Sequence, residues 1–168
     1  MKFLMYTMIL CLALACASSD TFSQQAPAVP IYDTAADAKT DIRHAVALAK
    51  KTHRNVMLQI GGNWCIWCTR FHNTVAASDT LSRLMRDNYV VVHVNYEKKL
   101  ADKPIWKELG YPQRFGFPVF VILDEKGNRI HTQSSEYLEE GKGHSPEKIA
   151  TFLQQWSPAA IEGRTIHP

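Results

Sequence analysis

Cysteine, glycine and net charge are all scarce in this chain, and each shortage closes off a class of protein. The 168 residues hold only four cysteines: Cys11 and Cys16 in an apolar N-terminal run, and the tight pair Cys65 and Cys68. A disulfide-stapled mini-domain spreads its cysteines to close long loops, so that class is excluded. Eight glycines and eight prolines are too few for a collagen-like or linker-like chain. Lys+Arg 19 against Asp+Glu 16 leaves only +3, with both signs scattered; a nucleic-acid binder needs a concentrated basic face. Repeats at solenoid periods are absent. So are a dinucleotide or flavin fingerprint and an H-E-x-x-H zinc motif. What remains is 46% hydrophobic and 21% charged, the balance of a globular chain, at a length suited to one domain with a real core.

The N-terminus reads as an export signal. Lys2 is a minimal positive region, and residues 3–17 are almost unbroken apolar sequence ending in small residues. Such a run is shorter than the ~20 residues of a spanning helix. Ala15-Cys16-Ala17 fits the A-x-A rule, with cleavage after Ala17. Ala13-Leu14-Ala15-Cys16 resembles a bacterial lipobox, in which Cys16 is lipidated and tethers the protein to a membrane. The organisation expected is a signal peptide at 1–17 (or its lipoprotein variant), a flexible tether at 18–33, a domain at 34–157 and a frayed tail at 158–168. The expected location is periplasmic or secreted. Either cut leaves Cys65 and Cys68 as the ordinary thiols of the mature chain.

Hydrophobic periodicity orders the domain. Thr34 with Asp37 gives a loose capping signal before a helix over 35–51. Residues 56–60 form a buried strand ended by Gly61-Gly62. Ser78 caps a second helical pattern closing near Asn88, 90–94 is β-branched and strand-like, and 103–109 is a short helix. A hairpin follows over 119–133. Ser145-Pro146-Glu147 starts a final helix with Ile149, Phe152, Leu153 and Trp156 as its apolar stripe. Strands separated by helices predict an α/β sandwich: a mixed sheet with helices on both faces, the hairpin being its antiparallel part.

The chemistry concentrates in Gly61-Gly62-Asn63-Trp64-Cys65-Ile66-Trp67-Cys68, directly after a strand and before helical sequence. At a helix N-terminus Cys65 meets unpaired N–H groups and the positive end of the macrodipole, which favour thiolate over thiol. Thiolate attacks disulfides, and Cys68 is spaced to resolve the mixed disulfide. Here the chain resembles the thioredoxin superfamily, through the C-x-x-C pair, Trp64 before it, and Phe117-Pro118 ahead of the strand at 119–123. It is most similar to exported bacterial thioredoxin-like proteins and to the C-terminal domain of thiol:disulfide interchange reductases. The resemblance implies a thioredoxin-like three-layer sandwich and a cis bond at Pro118. It also implies catalysis by Cys65 and Cys68, with substrate polypeptide held by Trp64, Trp67, Phe117 and Pro118. No cofactor is implied. Substrate proteins with disulfides and a redox partner protein as electron donor are, acting on a monomer.

Three departures stand out. Ile66-Trp67 adds no charge or donor to hold a thiolate unusually strongly, which argues for the reductase or isomerase side over a strong oxidase. Gln59, six residues before Cys65, stands where thioredoxins keep a buried Asp thought to move the resolving cysteine's proton; an amide cannot ionise. Cys65 and Pro118 are 53 residues apart, longer than in a minimal thioredoxin, with the excess expected in 73–87 and 98–113.

A different class uses the same thiols to bind a soft metal ion, as in a metallochaperone. Cys65, Cys68 and His72 share one helical stripe, but Cys65 and His72 are about 10.5 Å apart along a helix axis, too far to share one zinc comfortably. Thr69 in place of His removes c-type haem attachment. A packed, hydrogen-bonded side chain is the expectation for His72.

Overall fold

The structure is a computed structural model that describes residues 30–98 and 104–163. The export signal at 1–17, Cys16 and most of the 18–33 segment lie outside the described residues, as does part of the long 98–113 connection.

β1 (Asn55–Gly61) contains the apolar run, and all seven of its residues are buried. A strand buried on both faces belongs inside a sheet, and the observed order is β2–β1–β3–β4. β2 (Tyr89–Asn95) runs parallel to β1. β3 (Val119–Leu123) is antiparallel to β1 and to β4 (Arg129–Ser134). The parallel pair needs a crossover, which α2 (Ile66–Ala76) and α3 (Asp79–Asn88) supply.

Side chains alternate across a strand, so β1 serves two cores. Val56, Leu58 and Ile60 meet α1 (Ala38–Thr52) through Ala45 and Ala49, and α4 (Pro104–Glu108) through Trp106. Met57 turns the other way, with Phe120 and Ile122 of β3, onto Phe71 of α2, Leu81 of α3 and Phe152 of α5 (Pro146–Gln155). The sheet is therefore mixed and covered on both faces: a thioredoxin-like α/β sandwich.

Local departures from the sequence reading have identifiable causes. The α1 cap is Asp37, whose carboxylate accepts from Thr40 N–H at 2.8 Å, three residues later than Thr34. Ser145 precedes α5, but its hydroxyl donates to the Glu147 carboxylate at 2.8 Å instead of capping a helix amide. The expected frayed tail begins with a helical turn, α6 (Pro158–Ile161), because Ser157 accepts from Ala160 N–H. A two-stranded hairpin, β5 (Glu139–Glu140) with β6 (Gly143–His144), is additional; its turn carries Gly141 at φ 57°. Tyr32 is the largest correction: it belongs by position to the expected tether at 18–33, yet it is only 1% exposed and packs into the domain.

Candidate active site

β1 ends at Gly61, and α2 begins five residues later. Cys65 is the N-cap of α2, and its sulfur accepts the Cys68 N–H at 3.1 Å. One orphan amide of the helix start is thus aimed at the cysteine sulfur. Cys65 and Cys68 form a disulfide with Cα atoms 5.3 Å apart. Cys65 keeps 4% exposure and Cys68 has none. Any reagent arriving from solvent therefore reaches Cys65 first.

Two glycines make room for this arrangement. A Cβ on Gly61 would collide with Cys68 Sγ and stand 2.7 Å from Tyr32 Oη. A Cβ on Gly62 would run into the Trp64 indole. Gly61 has the same strand parity as Met57 and Gln59, so its open face looks toward α2.

Beneath the disulfide lies Tyr32, packed with both cysteines. Asn63, in the motif loop, fixes the tyrosine backbone twice. Its Oδ1 accepts Tyr32 N–H at 3.0 Å, and its Nδ2 donates to Tyr32 O at 2.8 Å. Gln59 is buried, and its Nε2 donates to Tyr32 Oη at 3.0 Å. Burial pushes the Tyr32 phenol up to about 12, with the Gln59 hydrogen bond pulling slightly the other way. His93 of β2 lies edge-on to the Tyr32 ring at 5.6 Å. Burial holds the His93 imidazole below its ordinary range, and the nearby His72 adds to that. His72 itself is exposed rather than packed, its ring 6.5 Å from His93.

The rim is aromatic. Trp64 is 61% exposed and Ile66 58%. Trp64 donates Nε1–H to Tyr96 O and meets Phe117 edge-on at 5.3 Å. Phe117, half-buried, packs against the cysteine cluster and leads through a cis peptide bond into buried Pro118. Trp67 points elsewhere. It is half-buried, with the Arg70 guanidinium over its ring and its edge on His144, 5.7 Å away. Trp64 and Phe117 thus meet at the rim, Ile66 is exposed at the first position of α2, and Trp67 joins α2 to the β5–β6 hairpin.

His144 is buried with neither ring nitrogen hydrogen-bonded among the described residues. Its imidazole is held below the ordinary value by desolvation, against the pull of Glu139 and with that of Arg70. Sequence reasoning misses Tyr32 and His144. Ile31-Tyr32, an apolar pair ending a polar stretch, and the Gly-Lys-Gly turn before His144 are the signals that could have found them.

The thioredoxin-like family model matches residues 37–125, which include the C-x-x-C pair and Phe117-Pro118. The chain belongs to the thioredoxin-like family. A disulphide isomerase from Xylella fastidiosa Temecula1 superposes with TM-score 0.68 at 24% identity, over 77% of this chain and 98% of that one. A thioredoxin from Thermus thermophilus gives TM-score 0.47 at 25% identity, over 67% and 81% of the two chains. The oxidised C-terminal domain of Neisseria meningitidis DsbD gives 0.48 at 14% identity, over 72% and 97%. No curated protein matches the sequence. Among the described residues no helix is long and apolar enough to cross a membrane, and no three metal-ligating side chains converge.

Proposed function

We propose that this protein is an exported thiol–disulfide oxidoreductase, working on the reducing or isomerising side through Cys65 and Cys68. The observation that carries the reading is a Cys65–Cys68 disulfide whose outer sulfur caps α2 and receives its amide proton. Reduced, Cys65 attacks a substrate disulfide as thiolate, forming a mixed disulfide and expelling one substrate thiolate. Cys68 then attacks Cys65 Sγ, the Cys65–substrate bond breaks, and the second substrate sulfur leaves with the electron pair and takes up a proton. Two electrons have passed to the substrate, and a redox partner protein must restore them. The exposed Trp64 and Ile66, with half-buried Phe117 against Trp64, support docking of an apolar polypeptide segment, with Pro118 shaping its floor and Trp67 steadying the helix behind it. The apolar run at 3–17 supports export to the periplasm or outside the cell, free or tethered through a lipidated Cys16.

Turnover of insulin disulfides under a dithiol donor tests the activity: the wild type reduces them and Cys65→Ala does not. Equal turnover by wild type and Cys65→Ala would refute it. Tightly bound soft metal after anaerobic purification, without turnover, would favour the metallochaperone reading.

A further inference from the structure

The Cys68 sulfur must exist transiently as a thiolate in either direction of exchange. It is the nucleophile when a mixed disulfide is resolved, and the leaving group when a donor thiolate opens the Cys65–Cys68 bond. It is also fully buried, and a buried anion needs a donor. The polar residue beneath it on β1 is Gln59, whose amide Nε2 is turned to Tyr32. Tyr32 packs in one cluster with Cys68, and its hydroxyl and Cys68 Sγ both lie within 2.7 Å of the point that a Cβ on Gly61 would occupy. Gln59 donates into Oη, so that oxygen already serves as acceptor. Among the described residues its own proton makes no hydrogen bond in the oxidised form, and Cys68 Sγ, in the same packed cluster, is the group that can receive it once it carries charge.

We infer that the Tyr32 hydroxyl is the hydrogen-bond donor that stabilises the Cys68 thiolate, with Gln59 and Asn63 holding the tyrosine in place for that task. The inference rests on the exchange chemistry proposed above. In the oxidised protein the disulfide sulfur is a weak acceptor. When the Cys65–Cys68 bond breaks, the electron pair arrives on Cys68 Sγ and the phenol proton turns to meet it. No proton is transferred to Tyr32. The phenol stays neutral through the working range because burial disfavours its anion. The proton that Cys68 finally takes up, or gives away, exchanges with the substrate sulfur or solvent. This differs from a carboxylate at the same place, which would act as a base. The other titratable groups around the pair are Cys65 on α2, His93 on β2 and, behind it, His72 on α2.

The test follows the two thiolate releases when reduced protein meets dithiobis-nitrobenzoate. The first reports attack by Cys65, and the second reports resolution by Cys68. Tyr32→Phe keeps the ring and removes the donor. It should leave the first phase unchanged and slow the second about tenfold to a hundredfold, the range for a hydrogen bond to a charged group. The midpoint of the second phase should also move to higher pH, since the anion has lost its donor. Tyr32→Phe strands Gln59 Nε2, so Tyr32→Phe with Gln59→Leu is measured alongside; it should regain thermal stability while the second phase stays slow. A second phase with wild-type rate and pH midpoint in Tyr32→Phe overturns the inference. So does equal slowing of both phases that the double variant restores. Insulin turnover by the wild type separates the two claims: its absence removes the proposed activity, whereas a slowed second phase still establishes Tyr32 as the donor.

Discussion

Replacing Gly61 by alanine places a methyl group where the structure has no room, and the consequence depends on redox state. The added carbon would overlap Cys68 Sγ and stand 2.7 Å from Tyr32 Oη and 3.2 Å from Tyr32 Cζ. Tyr32 cannot withdraw, because Asn63 holds its backbone on both sides and Gln59 holds its hydroxyl. In the oxidised protein Cys68 Sγ is tethered to Cys65 and cannot swing aside. In the reduced protein the same sulfur can change rotamer. Overpacking of this kind costs about 1–3 kcal/mol, and here most of it falls on the oxidised form. For a two-electron couple about 1.4 kcal/mol corresponds to 30 mV, so Gly61→Ala should raise the reduction potential by about 20–65 mV. A dithiothreitol or glutathione redox titration measures the shift. Urea unfolding of both redox forms should find the loss of stability concentrated in the oxidised one. An unchanged potential, or equal destabilisation of the two forms, would refute the reasoning.

The wild-type pair itself should lie nearer thioredoxin (~−270 mV) than a strong oxidase (~−120 mV), because Ile66-Trp67 brings no further donor to the thiolate. A glutathione titration that places it at the oxidase end would end the reductase assignment. Cys68→Ala should accumulate covalent complexes with substrate proteins while Cys65→Ala traps few, and limited alkylation of the reduced protein should label Cys65 first; faster labelling of Cys68 contradicts the assignment. Acid should destabilise the fold through His144. Its folded value lies below the ordinary 6.5 through desolvation, so the unfolded chain binds the proton more readily. Its stabilisation is therefore full above about pH 6.5 and fades as pH falls through the lower folded value. His144→Phe should flatten that part of the pH–stability curve measured by thermal unfolding. Mass spectrometry of protein from its native host should find the N-terminus at lipidated Cys16 or at Ser18, and an intact Met1 would contradict export.

Strand β1 is legible in the amino-acid order because a short run, apolar except for Gln59 and ended by two glycines, satisfies a local rule. Residues 78–88 are legible as a capped helix for the same reason. Cys65 and Cys68 are marked by their spacing, between a strand and the start of a helix, where the structure places them. Even the position of Gln59, on the face of β1 that looks toward α2, follows from counting residues in a strand of period two. The sequence alone therefore determined the order of the main strands and helices, the sheet covered on both faces and the place of the C-x-x-C pair at the start of α2.

Other features depend on groups distant along the chain. Tyr32 sits in a segment with no periodicity, and its role arises only when Asn63, 31 residues on, closes two hydrogen bonds around it. Trp64 and Trp67 are the same residue type three positions apart, yet one is an exposed rim and the other a half-buried brace. Trp64 stands in the turn before Cys65 and meets Phe117, whereas Trp67 is in the first turn of α2, where the β5–β6 hairpin brings His144 to it. His144 loses its solvent in the same way. Local propensity is a property of a short window, and burial is a property of everything that packs onto it. Which polar groups stand beside Cys68 was thus decided by tertiary contacts across the sheet, because a hydrogen bond needs two partners within about 3 Å and sequence spacing cannot place the second.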